Sequence, residues 1–262
     1  LDIIVCIKRV PETAEADLVI DETGKKIVEQ DLTFAINEPD NYALEEALLL
    51  KEEFGGSVTL FSVGPEAADE VLRMALAKGA DEAIRLTDPQ FEGSDGIAVA
   101  KILAETIKGR SYDLIMTGCM AYDDGQSQVG PALAELLGIP HATLITNVEI
   151  HEGRSFVKRE LEGGLNERID IELPALLTIQ TGINEPRYAS IRGIREASRK
   201  TIEVKTLDDT HLSPDEVGEP GSGSILARLA LPPVGEGAHM IDGSPEETAA
   251  QLGAIFKEKG LI

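Results

Sequence analysis

The sequence predicts an α/β fold: an open, mostly parallel sheet with helices on both faces, a β-rich extension and an irregular C-terminal arm. Three observations point to it. Before Pro140, short apolar runs alternate repeatedly with stretches of helical period, the pattern of a sheet whose strands are joined by crossover helices. The first of these runs, 3–7, is continuously apolar, as expected of a buried strand, while 57–63 alternates. After Pro140 the helical stretches give way to successive extended runs, and beyond Leu207 the chain becomes rich in Gly, Pro, Ser and acid.

In chain order, 3–7 is a buried first strand that runs into the loop Lys8-Arg9-Val10-Pro11. Segments 18–20 and 26–28 flank the turn Asp21-Glu22-Thr23-Gly24 and read as a hairpin. Pro39 and Asp40 open a helix whose Ala43, Leu44, Ala47, Leu48 and Lys51 share one face, and Gly55-Gly56 stops it. On this helix Glu45 and Glu46 read as a solvated face. A strand over 57–63 turns at Gly64-Pro65, and the next helix carries Ala68, Val71, Leu72, Ala75 and Leu76 before Gly79. A strand over 82–86, a helix over 97–107 and a strand over 114–117 follow. A polar loop then leads to a helix over 132–137. Runs 142–150, 155–161 and 168–171 are extended, with a tight turn at Glu162-Gly163-Gly164, and 174–179 is another apolar strand. Segment 208–243 has little core of its own. Ser244-Pro245-Glu246-Glu247 starts a terminal helix with Ala250, Ile255 and Phe256 on its apolar side. No internal repeat is present. The expected division is a domain over 1–205 and an arm with its terminal helix over 206–262.

With 47 acidic and 24 basic residues the 262-residue chain has a formal charge of −23. Such a chain repels nucleic-acid phosphates and anionic lipid surfaces. A nucleotide can still be held by backbone N–H groups, which do not depend on net charge. No apolar run reaches the length of about 18 residues of a membrane span. The start Leu1-Asp2-Ile3-Ile4-Val5-Cys6 reads as a strand and not as a secretory signal, which gives a cytoplasmic expectation. Cys6 and Cys119 are too few for a disulfide framework and lack zinc-site spacing, and the four histidines are scattered. No metal site is expected. No G-x-S-x-G elbow or Ser–His–Asp set is visible, and no catalytic residue is assigned.

Ligands of open parallel sheets sit outside the carboxyl ends of the strands. Four loops occupy that edge: those after Ile7, near Asn37, after Val63 and after Thr117. The last is the richest. Gly118-Cys119-Met120-Ala121-Tyr122-Asp123-Asp124-Gly125-Gln126-Ser127-Gln128-Val129 leaves a strand and enters a helix. Free N–H groups and the helix dipole make such a junction a phosphate cradle, to which Ser127 and Gln128 can add donors. A plain connecting loop would also satisfy the pattern. Asp123 and Asp124 would repel a phosphate if they faced it; they point away, accept ribose or amide protons, or hold a metal. Lys8-Arg9 is either a salt-bridged loop or a contact to an anionic ligand or acidic partner.

Four stretches together resemble the beta subunit of electron transfer flavoproteins (a FixA-like family). They are Val5-Cys6-Ile7-Lys8-Arg9-Val10-Pro11; Ile36-Asn37-Glu38-Pro39-Asp40 with Ala43-Leu44-Glu45-Glu46-Ala47; Asp123 to Pro131; and Asn184-Glu185-Pro186-Arg187-Tyr188-Ala189-Ser190-Ile191 with Ile194-Arg195-Glu196-Ala197. The resemblance implies a Rossmann-like, adenine-nucleotide-binding sheet in a heterodimer with an alpha subunit that carries FAD. The chain's own nucleotide would be AMP, a structural ligand. The alternative is a second FAD that oxidises NADH, as in electron-bifurcating members. Cys6, Asn37, Glu38, Pro39, Asp40, Val63 and Gly118 through Val129 fall on the family's nucleotide positions. Asn184, Glu185, Pro186, Arg187, Tyr188 and Ile191 fall on the loop that docks dehydrogenases such as acyl-CoA dehydrogenase, with Ile191 as the apolar anchor. An isolated Ile191 would read as a core residue. Segment 184–197 is expected as an exposed loop in which Gly193 lets the chain bend. An ETF-quinone oxidoreductase is a further implied partner. The sequence departs from the family in Asn37-Glu38-Pro39, where Pro usually follows Asn directly. In Asp123-Asp124-Gly125-Gln126-Ser127 it differs from the Asp-Gly-Asp-Thr-Ala of bifurcating relatives.

Overall fold

The computed structural model describes residues 1–14, 16–233, 235 and 237–262. They fall into two units, Leu1–Val19 with Ile27–Ala227, and Ile20–Lys26 with Arg228–Ile262. The first unit contains, in chain order, β1 (Ile3–Cys6), β2 (Arg9–Pro11), β3 (Phe34–Ile36), α1 (Glu38–Phe54), β4 (Val58–Val63), α2 (Asp69–Lys78), β5 (Glu82–Leu86), α3 (Gly96–Ile107), β6 (Leu114–Gly118) and α4 (Val129–Leu137). It continues with β7 (His141–His151), β8 (Arg154–Leu161), β9 (Leu165–Glu172), β10 (Ala175–Ile179), α5 (Ile191–Ala197), β11 (Glu203–Lys205) and the one-turn α6 (Gly218–Gly221).

Nine strands form one sheet in the order β11-β5-β4-β1-β6-β10-β7-β8-β9. The pairs from β11 to β7 are parallel, and β8 and β9 add an antiparallel extension. This is the expected α/β sheet with its β-rich continuation. All four residues of β1 and all five of β10 are buried. Their side chains alternate between two apolar layers, because successive residues of a strand face opposite ways. Ile3 and Val5 join Leu44, Leu48, Leu72 and Ala75 from α1 and α2 on one face. Ile4 and Cys6 join Ile102, Leu103 and Leu133 from α3 and α4 on the other. From β1 the chain builds outward through β4 and β5, then crosses to β6 on β1's other side. The order therefore reverses between β1 and β6, and the crevice outside their carboxyl ends is the topological switch point.

Several expectations change. Lys8 to Pro11 is not all loop: Arg9–Pro11 pairs antiparallel with Phe34–Ile36, and the Arg9 guanidinium stacks 3.3 Å from the Phe34 ring centroid. Over 18–28 the expected hairpin is reduced to isolated bridge positions at Ile20 and Ile27, with the Val28 N–H donating to the Val19 carbonyl at 2.8 Å and the Asp21 N–H to the Lys26 carbonyl at 2.9 Å. The turn at Glu162–Gly164 is present, with Gly163 and Gly164 at positive φ. Beyond Lys205 the chain is less coreless than expected, since Leu207 and Val217 are buried in the α3-side layer.

The second unit contains α7 (Pro245–Glu258), started by a reciprocal Ser244–Glu247 capping box. Among the described residues no side chain of this unit is buried.

Segment 184–197 is a loop only as far as Ser190, which caps α5 by accepting the Gly193 N–H at 3.0 Å. Gly193 is helical and does not bend the chain. A Cβ there would collide with the Ala77 carbonyl oxygen at the end of α2, so glycine is what lets α5 seat on α2. Gly193→Ala should lower the thermal midpoint by the equivalent of about 1–3 kcal/mol of overpacking. It should also raise proteolytic sensitivity over 187–200. Both are read on the purified protein, and an unchanged melt with an unchanged digest would contradict the close approach.

Candidate functional site

At the switch point one carboxylate joins the two strands. Asp40, buried in the first turn of α1, accepts the Lys8 N–H through Oδ2 and the Gly118 N–H through Oδ1, both at 2.8 Å. Gly118 has no room for a Cβ, which would run into Asp40 and lie 2.7 Å from the Pro39 Cβ. Burial pushes the Asp40 carboxyl up to about 7, against the pull of the Lys8 and Gly118 N–H groups, the Asn37 side chain and the Lys8 charge. Burial, then the Asp40 charge, drive the Cys6 thiol well above its usual range. A proton-holding thiol is a poor nucleophile. Burial also raises the Cys119 thiol, whose Sγ donates to Gln180 Oε1 at 2.9 Å.

Asn37 fixes the loop after β6 to the start of α1. Its N–H donates to the Lys8 carbonyl, its Nδ2 donates to the Met120 carbonyl at 2.9 Å, and its Oδ1 accepts the Tyr122 N–H at 3.1 Å. The displaced Pro39 is still inside the first helical turn, next to Glu38. The Tyr122 hydroxyl meets Glu38 and Thr181.

Lys8 adopts the salt-bridged arrangement. Its Nζ reaches Asp123 Oδ1 at 2.7 Å and Asp124 Oδ2 at 2.8 Å. Burial alone would lower the Lys8 pKa, but the hydrogen bonds to Asp123 and Asp124 raise it. The two aspartates are thus spent on Lys8. Asp124 Oδ1 also accepts the Gln126 N–H, and Gly125, at positive φ, donates to the Ala121 carbonyl. No group of three potential metal-ligating side chains forms among the described residues.

Two helix starts lie beside this loop and differ. At α3 the Asp95 side chain accepts the Ile97 and Ala98 N–H groups, both at 3.0 Å. At α4, Gln128 occupies the cap position without a side-chain cap. Among the described residues nothing accepts from the N–H groups of Ser127, Gln128, Val129 or Gly130. Ser127 has φ +53°, a conformation uncommon outside glycine. Gly130 is buried, and a Cβ there would lie 2.5 Å from Thr178 Cγ2 and 3.0 Å from Thr117 Oγ1. Gln126 Oε1 accepts the Gly96 N–H at 3.2 Å, which fixes the loop to α3. Val63 ends β4 on the same edge and packs into the α3-side layer. The structure therefore brings the sequence-selected residues of the edge together.

The second set of residues lies along α1. Glu45 and Glu46 are not solvated, as the sequence suggested, but only 4% and 8% exposed. Segment 184–187 covers them. Glu45 takes the Arg187 guanidinium through Nε and Nη2 at 2.9–3.0 Å and the Arg187 N–H at 3.0 Å, while Arg187 Nη1 reaches Glu52. These bonds, first to Glu45 and then to Glu52, raise the Arg187 pKa. Asn184 Nδ2 donates to Glu46 Oε2 at 3.0 Å and to the Tyr42 carbonyl, and burial raises the Glu46 carboxyl. Glu185 is exposed and Pro186 half-buried. Tyr188 is 97% and Ile191 82% exposed, so Ile191 is not a core residue. Nothing in the local pattern could have revealed the Glu45–Arg187 pairing, because the partners are 142 positions apart.

Residues 24–210 match the family model of the electron transfer flavoprotein domain. The chain is 40% identical over 262 residues to the electron transfer flavoprotein subunit beta of Methylophilus methylotrophus, covering 98% of both chains. The chain belongs to the electron transfer flavoprotein beta-subunit family. The subunit beta of Bacillus subtilis (strain 168) is 38% identical over 263 residues and the whole of both chains. The caffeyl-CoA reductase-Etf complex subunit CarD of Acetobacterium woodii is 37% identical over 263 residues and 99% of both. As a beta subunit of this family the chain acts in electron transfer and has an alpha subunit as its counterpart. Among the described residues no helix is long and apolar enough to cross a membrane.

Asp40 gives the site of this beta subunit a pH signature. Its folded pKa of about 7 lies above the ordinary aspartate value near 4, so between the two the folded chain holds a proton that the unfolded chain has released. The stabilisation tied to that proton is complete below about pH 4 and is lost as pH rises through about 7. Asp40→Asn should remove this fall, seen as a smaller difference between urea midpoints at pH 5 and pH 8. An undiminished difference would show that Asp40 does not titrate there.

Proposed function

We propose that this chain binds one AMP at the β1–β6 switch point, packs against an FAD-bearing alpha subunit and docks dehydrogenases through the segment around Ile191. The observation that carries the nucleotide reading is the start of α4. Its N–H groups from Ser127 to Gly130 are without protein acceptors among the described residues, whereas those of α3 are satisfied by Asp95. A row of unsatisfied donors at the positive end of a helix fits a phosphate. The Ser127 hydroxyl and Gln128 amide supply further donors, and Asp123 and Asp124 are kept occupied by Lys8. The sugar and base would lie along the edge formed by Cys6, Asn37 through Asp40 and Val63. AMP supplies no redox chemistry, so these residues bind and position without moving a proton; the electron-carrying flavin is the alpha subunit's.

The docking reading rests on Tyr188 and Ile191, exposed on a segment whose base is fixed to α1 by Asn184 and Arg187. An acyl-CoA dehydrogenase fits as electron donor and an ETF-quinone oxidoreductase as acceptor. The second unit, none of whose described side chains is buried, gains its order on the alpha subunit.

Nucleotides released by denaturing the purified heterodimer should be one FAD and one AMP. Two FAD without AMP would replace this reading by that of a bifurcating complex. Loss of one charge-assisted hydrogen bond costs about 1.5–3 kcal/mol. Ser127→Ala should therefore release AMP at least about tenfold more readily in equilibrium dialysis, and unchanged retention would move the phosphate elsewhere. Burying one Ile side chain contributes roughly 1.5–3 kcal/mol. Ile191→Ala should accordingly raise the KM for the dehydrogenase by about one to two orders of magnitude, and an unchanged KM would remove the anchor.

A further inference from the structure

The charge of the chain reverses around the docking segment. Against a formal charge of −23, five of the 24 basic residues fall within positions 187–200, with Glu196 as the single acid there. The structure sorts these five by availability. Arg187 is spent on Glu45 and Glu52. Lys200 Nζ is held by the carbonyls of Ala80 and Asp81 at 2.7 and 3.0 Å. The inner side of α5 is set by Gly193 against Ala77, by buried Ala197 and by Arg73, which donates to the Ala197 carbonyl.

Arg192, Arg195 and Arg199 are left on the outer side, spaced three and four apart and so on one stripe. Arg192 pairs within the helix with Glu196, and its side chain is 88% exposed. Among the described residues no acid pairs with Arg195 or Arg199. Ile191 and Ile194, both exposed, run alongside, and a shallow groove along this face is lined by Ile191, Arg192, Arg195, Glu196 and Arg199, so that three guanidinium groups meet one carboxylate, which is taken by Arg192.

Exposed aliphatic side chains flanked by unpaired guanidinium groups form a surface that lacks its complement. Guanidinium prefers carboxylate, which it meets with a planar fork of donors. We propose that this face takes a protein surface built in the opposite sense: an apolar socket for Ile191 with a rim of carboxylates that meet Arg195 and Arg199. The inference rests on the docking reading above and adds the chemistry of the partner. An acidic partner meets like charge over the rest of the chain, so the stripe orients the encounter as well as strengthening it. The same excess of acid disfavours a nucleic acid or an anionic bilayer, whose charge extends well beyond one helix face.

The test uses the heterodimer of this chain with its alpha subunit and an acyl-CoA dehydrogenase as electron donor. KM and kcat are measured from low ionic strength to above that of the cell. Charge reversal in R195E/R199E should raise KM about tenfold at low ionic strength, where steering is strongest. The kcat should stay unchanged, and the difference should fade as salt screens it. R195K/R199K, which keeps the charge, should restore most of the wild-type salt dependence. Equal KM for R195E/R199E and wild type at every salt, or a lower KM, overturns the inference. So does a loss of kcat accompanied by a lower melting midpoint. Ile191→Ala in the same series separates the two claims: an unchanged KM there with an impaired R195E/R199E removes the anchor and keeps the acidic rim, and the reverse keeps the anchor and removes the rim.

Discussion

The Asp40 carboxylate is the joint on which the candidate site depends. Two parallel strands on either side of a switch point end in backbone donors that no neighbouring strand can satisfy, because the chain turns out of the sheet there. Asp40 accepts one donor from each, at Lys8 and at Gly118, and so closes the crevice at its base. A buried carboxylate is costly unless it is hydrogen-bonded, and these N–H groups supply the compensation. The Lys8 backbone serves Asp40 while its side chain reaches over to Asp123 and Asp124. One residue thereby sets both the floor of the crevice and the position of the loop above it.

Helix α1 links this crevice to the segment proposed to dock partners. Its first turn carries Asp40, its next turns present Glu45 and Glu46 to the segment over 184–187, and Glu52 completes the grip on Arg187. Breaking one partner of a buried ion pair is more costly than the pair itself is stabilising. The segment is therefore held by geometry that tolerates little change. Its outward residues, Tyr188 and Ile191, carry no such constraint. This separates residues that hold the surface from those that display it: Arg187 belongs to the first group and Arg195 and Arg199 to the second.

Much of this was legible in the sequence where the signal is local. Buried parallel strands such as Ile3–Cys6 and Ala175–Ile179 are continuous apolar runs, and the Ser244 capping box announces its helix. The strand-to-helix loop with Ser127 and Gln128 was legible as a junction with free donors because strand, polar loop and helix follow one another directly. What escaped depends on partners distant in the chain. Glu45 and Glu46 look like any solvated pair until Arg187 and Asn184 are folded over them. Gly193 looks like a bend until α2 is placed beneath it. Strands of three residues, such as Arg9–Pro11 and Phe34–Ile36, are too short to leave a periodic pattern. That Asp123 and Asp124 turn to Lys8 depends on the reach of that side chain, which no spacing encodes.

A helix of seven residues does not persist in water by itself. The shape of α5 is borrowed from α2, through Gly193 and Ala197 on its inner side and the Ser190 cap at its start. The consequence is evolutionary. The seat is specified by a few small residues and one hydroxyl, while every outward position can change without disturbing the core or the crevice. If α5 docks partners as proposed, a lineage can retune which protein it recognises by single substitutions on two turns of helix and keep the rest of the carrier intact.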